Sequence, residues 1–153
     1  MHTIEDELIF LVHVILASVL TGIVGFERGI ARKPAGLRTN MLVGGAVCLF
    51  VILGESMVIH FSELGLGSYI TTDPIRIIQA IVLGISFIGA GMVLHTRKEQ
   101  RVKYLTSSAT ILFSAGIGIS VALKQYILAV GVTFFVLFIN LLLAHTWFKK
   151  REG

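Results

Sequence analysis

Residues 77–96 read IIQAIVLGISFIGAGMVLHT, twenty consecutive positions without a formal charge, closed by Arg76 on one side and Arg97 on the other. The hydrocarbon core of a bilayer is about 30 Å thick, and a helix needs about 20 apolar residues to cross it. This stretch has that length and that composition. It reads as a membrane-spanning helix, and it sets the terms for the rest of the chain.

Working outward, four more uncharged stretches appear at 8–26, 39–54, 104–123 and 125–148, of 19, 16, 20 and 24 residues. The second reaches spanning length if its helix continues through Glu55 to about Ile59. Bare backbone groups find no partner in lipid, so the spans must be helices or a closed barrel. None shows the ten-residue alternation of a barrel strand. The expected fold is an all-α membrane protein, a single transmembrane domain over 1–153 with five transmembrane helices at about 8–26, 39–59, 76–96, 104–123 and 125–147.

Composition agrees. Hydrophobic residues make up 55% of the 153 and charged residues only 14%, against about 25% charged in soluble domains. Mean hydropathy is +0.88. A water-soluble globule and a disordered chain are both excluded. The net charge is +4, but the basic residues sit between apolar blocks, which points to a lipid bilayer as partner and not to nucleic acid. The one cysteine, Cys48, excludes an intrachain disulfide and reads as a small apolar filler. The acidic start, Glu5-Asp6-Glu7, is not the basic opening of a signal peptide.

Lys and Arg set the orientation. Arg28, Arg32, Lys33 and Arg38 follow the first span, Arg97, Lys98, Arg101 and Lys103 the third, and Lys149, Lys150 and Arg151 the fifth; the other side holds only Arg76 and Lys124. By the positive-inside rule the N-terminus lies outside and the C-terminus in the cytoplasm. The longest polar segment, about 60–76 with Gly65, Gly67, Ser68, Thr71 and Thr72, is too short for a domain, and no soluble catalytic or sensory domain is expected beyond the fifth span.

Small residues four apart share a helix face and let helices approach closely. The pairs are Ser18/Gly22, Gly25/Gly29, Ser114/Gly118 and Gly116/Ser120. Tight packing is the plain reading; the alternative is a pore-lining pair, or a local break of the third helix at Gly89-Ala90-Gly91. The fifth span is bulky all round, with Phe134, Phe135, Leu137 and Phe138, so it is expected to face lipid, anchored by Trp147, with Asn140 bonding to a neighbouring helix.

Charges in or near spans are costly and mark function. Glu27 is the one acid among Arg28, Arg32, Lys33 and Arg38, and is expected to pair with Arg38 or Lys33, while Thr39 or Asn40 caps the second helix. Asp73-Pro74 is an efficient helix start, with Arg76 and Gln79 on one face beyond it. Glu55 falls at a depth similar to Arg76 and is expected to face it or to share a polar pocket with Asp73; Glu55 and Asp73 are the candidate metal ligands. His13 and His95 read as packed, hydrogen-bonded residues.

These residues carry a resemblance. Gly25-Phe26-Glu27-Arg28 followed by Lys33-Pro34-Ala35-Gly36-Leu37-Arg38-Thr39-Asn40, then Asp73-Pro74 and Arg76 ahead of Gly84 and Gly89-Ala90-Gly91, then Leu105-Thr106-Ser107-Ser108-Ala109-Thr110, is similar to the membrane domain of the MgtC/SapB family over about residues 10–145. Tyr104 stands where that family usually has glycine, and Phe113 where it often has tryptophan. The chain resembles the short form, without the additional cytoplasmic C-terminal domain. The resemblance implies a multi-pass protein of the bacterial inner membrane, linked to growth in low magnesium, acid tolerance and survival in host cells. Carried over by position, the functional motif is Glu27, Arg28, Lys33, Gly36, Leu37, Arg38, Thr39, Asp73, Arg76, Gly84, Gly89, Gly91 and Thr106, to which the reading above adds Glu55 and Gln79.

Two functions fit. One is regulation of another membrane protein; the other is transport of an ion, magnesium included, by a homo-oligomer such as a dimer packed through glycine faces. The chain has no GxSxG, HExxH or Walker pattern and is not expected to be an enzyme. No cofactor is expected, with magnesium left open.

Overall fold

The computed structural model describes residues 3–65, 73–94 and 104–149, with Leu94 and 142–149 as backbone only. Those residues form five helices: α1 Ile4–Ile30, α2 Leu37–Glu63, α3 Pro74–Leu94, α4 Leu105–Ala122 and α5 Tyr126–Lys149. The described residues are all-helical, and α1 to α4 are each long and apolar enough to cross a membrane. The helices run past the charge-free stretches: α1 adds a turn at each end, and α2 carries on to Glu63. Helix geometry does not stop at a charge when the helix end lies near water.

The ends are set by local chemistry. Thr3 caps α1 in a capping box: its Oγ1 accepts from the Asp6 N–H at 3.3 Å, and the Asp6 carboxylate accepts from the Thr3 N–H at 2.9 Å. Asp73 caps α3 as expected, Oδ1 accepting from the Ile75 N–H at 3.0 Å with Pro74 in the first turn. Helices α1 and α4 both close with a residue in the left-handed region, Arg32 (φ 50) and Lys124 (φ 60). After each, two carbonyls of the last turn accept the Schellman bonds: Lys33 N–H to Arg28 C=O at 3.0 Å, and Gln125 N–H to Ser120 C=O at 2.8 Å. A cation there also faces the negative end of the helix dipole.

Contacts give the relative directions. Ser18 meets Gly45, Thr21 meets Gly44, and Gly25 meets Gly36, so α1 and α2 form an antiparallel hairpin. Ser114 pairs with Asn40 and Gly118 packs on Gly44, so α4 runs parallel to α2. His13 pairs with Tyr126 and Arg28 with Asn140, so α5 runs parallel to α1. Successive helices therefore alternate in direction, as a back-and-forth thread requires.

Helix α4 is the hub. Ten of its eighteen residues are buried, whereas Gly89 is the one buried residue of α3 among the described residues. Its buried side chains include Ser107, Thr110, Ser114, Ala115, Gly118, Ser120 and Ala122, small enough to admit neighbours on several sides. At Gly118 a Cβ would fall 2.5 Å from the Gly44 carbonyl oxygen and 3.2 Å from the Val47 Cβ, so glycine is required for the α2–α4 approach. The buried hydroxyls of Thr21, Thr110, Ser120 and Thr133 donate to the carbonyl four residues back, at 2.8–2.9 Å, which lets them lie in an apolar interior.

One alternative is set aside and one expectation is corrected. Helix α3 runs unbroken through Gly89-Ala90-Gly91, in keeping with the packing reading. Gly89 is the packed residue of the three: Ser108 Oγ donates to its carbonyl at 2.9 Å, and that bond holds α4 against α3. Helix α5 does not face lipid all round. Ala129, Thr133, Val136 and Asn140 form a buried stripe, while Phe134, Phe135, Phe138 and Leu141 are exposed. The bulk of the exposed face hid the stripe in the sequence. Of the small-residue pairs, Ser18/Gly22 and Ser114/Gly118 are packed against neighbours, whereas Gly29 and Gly116 have open space beside them. Residues 66–72 of the polar segment, the basic loop with His95, Arg97, Lys98, Arg101 and Lys103, the tail residues Lys150 and Arg151, and the Trp147 side chain lie outside the described residues.

Candidate functional site

The candidate site grows from the last turn of α1. Arg28 is 5% exposed although it carries a full charge. The helical period turns it inward, toward α5, where one guanidinium nitrogen donates to the Asn140 Oδ1. Its Nε lies 3.5 Å from the Glu27 Oε2. Glu27 therefore has Arg28 as its ion-pair partner; the expected pairing with Arg38 or Lys33 is not made. Arg38 and Lys33 point outward and are exposed. Their long stems reach water and headgroups more cheaply than they reach a buried acid. Three buried polar atoms of the cluster have no hydrogen-bond partner: Glu27 Oε2, Arg28 Nε and Asn140 Nδ2. The cluster holds a cation in a dry setting, ties α5 to α1, and keeps both donor and acceptor capacity in reserve.

A second polar knot lies on the other side of α1. Asn40 is fully buried. Its Nδ2 donates to the carbonyls of Ala35 (2.5 Å) and Gly36 (3.0 Å), and its Oδ1 accepts from the Ser114 Oγ at 2.7 Å. Both of its N–H donors and its oxygen are engaged. The α2 cap is Gly36, so neither Thr39 nor Asn40 caps that helix; Asn40 instead closes the turn before it. Gly25 explains why the two sequence motifs meet here. A Cβ on it would lie 2.8 Å from the Gly36 oxygen and 2.9 Å from the Leu37 Cα. The Gly25–Arg28 and Lys33–Asn40 blocks are thus joined by backbone contact and by Asn40, not by an ion pair. Lys33, Leu37, Arg38 and Thr39 lie on the exposed rim of that turn, with Gly36 half-buried.

The charges at the opposite end are not gathered as expected. Arg76 pairs with its own cap, Asp73, at 3.8 Å, both largely exposed, a surface pair worth about 0–1 kcal/mol. Glu55 does not meet Arg76. Ile77 stands between them, seated against Gly54. On one side of Ile77 is a cavity of about 410 Å³ lined by Glu55, Val58, Pro74, Ile78 and Lys124. On the other is a groove of about 740 Å³ between α2 and α3, apolar except for Arg76 at its rim. Among the described residues no group of three or more Asp, Glu, His or Cys gathers to hold a metal. Gln79, Gly84, Gly91 and Thr106 are exposed, and only Gly89 of that group is buried.

Sequence reading missed the weight of Asn40, Ser114 and Tyr126. Asn40 and Ser114 are polar residues inside spans, a detectable signal, but which pairs meet depends on helix order. Asn140 bonds to a neighbouring helix as its isolation in an apolar span suggested. His13 is packed and hydrogen-bonded: its Nδ1 lies 2.7 Å from the Ile9 carbonyl and its ring stacks on Tyr126 at 5.8 Å. Tyr104 explains its own oddity: its φ is 73, the left-handed region in which glycine is least strained.

The fold and these buried polar knots define a multi-pass helical membrane protein. The family model described as MgtC family matches residues 14–147. The chain belongs to the MgtC family. It is 34% identical over 137 residues to "Protein MgtC" of Salmonella typhimurium, covering 88% of this chain and 52% of that protein. It is 36% identical over 124 residues to "Putative magnesium transporter YhiD" of Escherichia coli K12, covering 79% and 54%. A Haemophilus influenzae protein is 36% identical over 115 residues, covering 75% and 47%. The chain thus spans about half the length of the curated relatives it matches. No solved structure matches.

Proposed function

We propose that this chain acts in the bacterial inner membrane as a regulator of another membrane protein, in adaptation to low magnesium, acid or life inside a host cell. The observation that carries this reading is α3. Its outward face presents Leu83 (74% exposed), Phe87 (81%) and Ile88, with open space beside Gly84 and Gly91. Bulky residues beside glycine notches are the surface that transmembrane helices use to dock. The buried charge supports the same reading, because Arg28 is held by Glu27 and Asn140 in a structural knot and not along an open path. A photo-crosslinking residue at Phe87, in cells grown with little magnesium, is expected to capture a distinct membrane protein, and one at the buried Ala17 is not. Capture of lipid alone, or of the chain itself alone, would overturn regulation by contact.

The second reading is ion transport by a homo-oligomer, favoured by the YhiD name and by Glu55 and Asp73 lying at the same end of the bundle. Magnesium keeps several waters and takes few carboxylates, so acids from two copies could serve. Magnesium flux into proteoliposomes that disappears in Asp73→Ala and Glu55→Ala would replace the regulatory reading with this one.

A further inference from the structure

The cavity beside Glu55 has a composition that the regulatory reading does not use. Its volume, about 410 Å³, lies in the range of about 300–1,000 Å³ typical of small-ligand sites. Its walls are Val51, Val58, Ile59, Ile77, Ile78 and Leu123, apolar residues from α2, α3 and the end of α4. Two charges of opposite sign complete it, Glu55 and Lys124. Neither has an ion-pair or hydrogen-bond partner for its side chain among the described residues. They share one cavity without touching.

Their depth is fixed by the fold. Glu55 lies eighteen residues along α2 from Leu37, about 27 Å at 1.5 Å per residue, close to the far limit of a hydrocarbon core of about 30 Å. Lys124 is the left-handed residue of the α4–α5 turn, and a turn must lie where its backbone is solvated. Both charges are therefore at headgroup level; Val51 lies on the hydrocarbon side of Glu55, Ile77 and Ile78 beside it, and Val58 and Ile59 toward the water. At that level, with both side chains exposed, water solvates each charge, so the pair is not a penalty to be relieved but two spaced charges of opposite sign that a single bridging ligand can answer. The bridge must be anionic toward Lys124, a hydrogen-bond-donating cation toward Glu55, and apolar beyond.

We propose that this cavity binds one phospholipid with a primary-amine zwitterionic headgroup, phosphatidylethanolamine in class. The phosphate accepts from the Lys124 ammonium, the headgroup ammonium donates to the Glu55 carboxylate, and an acyl chain lies against Val51, Ile77 and Ile78. Charge complementarity chooses this occupant. An anionic lipid brings Glu55 no cation, at most a hydroxyl, and a trimethylated headgroup has no N–H to donate to it.

The test is lipid retention on detergent-purified full chain, read by native mass spectrometry after incubation with chain-matched lipids. The wild type is expected to keep one phosphatidylethanolamine, with a preference of about tenfold over the trimethylated headgroup, the scale of one charge-assisted hydrogen bond. Glu55→Gln is expected to erase that preference, and Lys124→Gln to lower retention of both lipids. Free phosphoethanolamine is expected not to displace the bound lipid. Equal retention of the two headgroups by the wild type, a question that needs no variant, would overturn the proposal. So would a preference that survives Glu55→Gln, retention unaffected by Lys124→Gln, as when the two residues simply pair with each other, or full displacement by the free headgroup. Crosslinking at Phe87 is unaffected by any of these outcomes, so the regulatory reading stands or falls separately.

Discussion

Replacing Arg28 by methionine removes one member of a buried charge pair and leaves the other. The Arg28 and Glu27 side chains keep only 6% and 13% of their exposure. Breaking such a pair costs about 3–5 kcal/mol, because the remaining charge stays buried without compensation. The hydrogen bond to Asn140 adds about 0.6 kcal/mol, the average for an interhelical bond in a membrane. One feature works the other way. Arg28 lies in the last turn of α1, close enough to the interface for a freed Glu27 to swing toward water, which lowers the expected loss to about 2–4 kcal/mol. The double variant Glu27→Gln with Arg28→Met removes both charges and is expected within about 1 kcal/mol of the wild type, since neutral replacements of a buried pair are often harmless. The measurement is reversible unfolding by sodium dodecyl sulfate in mixed micelles, run as a double-mutant cycle. A coupling near zero, with the double variant no better than Arg28→Met, would refute the buried pair as the source of the loss.

Ser114→Ala loses only the bond to Asn40 and is expected to cost about 0.6 kcal/mol, with about 1.7 as the upper bound. Asn40→Ala also frees the Ala35 and Gly36 carbonyls and should cost about 1–3 kcal/mol in the same titration; the reverse ranking would remove Asn40 from the centre of the α2–α4 contact. On α4, Gly118→Ala forces a Cβ against the Gly44 carbonyl and is expected to cost about 1–3 kcal/mol. Gly116→Ala, with nothing within 4 Å, is expected to be neutral or to gain up to about 1 kcal/mol from helix propensity. Tyr104→Gly relieves a positive φ and is expected to raise the thermal midpoint by the equivalent of about 0.5–1 kcal/mol, after the entropy lost with glycine; an unchanged or lower midpoint would mean that the tyrosine ring contributes as much as its backbone costs. Single cysteines at positions 3 and 153, in a Cys48→Ala background, are expected to react with a membrane-impermeant thiol reagent from opposite sides. Labelling from one side only would remove the five-span thread.

Much of the fold is written in one dimension. Uncharged runs of about 20 residues read as helices because lipid forbids other backbone solutions, and that constraint acts locally, on each stretch alone. The caps at Thr3 and Asp73 are equally local, since a side chain two or three residues away satisfies the orphan donors. Gly25, Gly89 and Gly118 could be marked as close-packing positions for the same reason: a missing side chain is visible in the sequence.

Pairings between helices were not written there. Glu27 had four cations nearby, Arg28, Arg32, Lys33 and Arg38, and the structure chose Arg28, because rotation of α1 buries that turn against α5 while the loop cations reach water. Glu55 and Arg76 share a depth, yet Ile77 separates them, a matter of helix rotation that depth does not encode. Asn40 and Ser114 are 74 positions apart, and Arg28 and Asn140 are 112 apart; nothing in either sequence neighbourhood names the other. The sequence by itself determined which segments are helical and that they belong in lipid. Only the tertiary structure decided which helix is the hub, which charges are buried together, and which face is left open, because in a bilayer every apolar helix face is equally content with lipid, and small differences in packing shape and hydrogen-bond reach are all that select its neighbours.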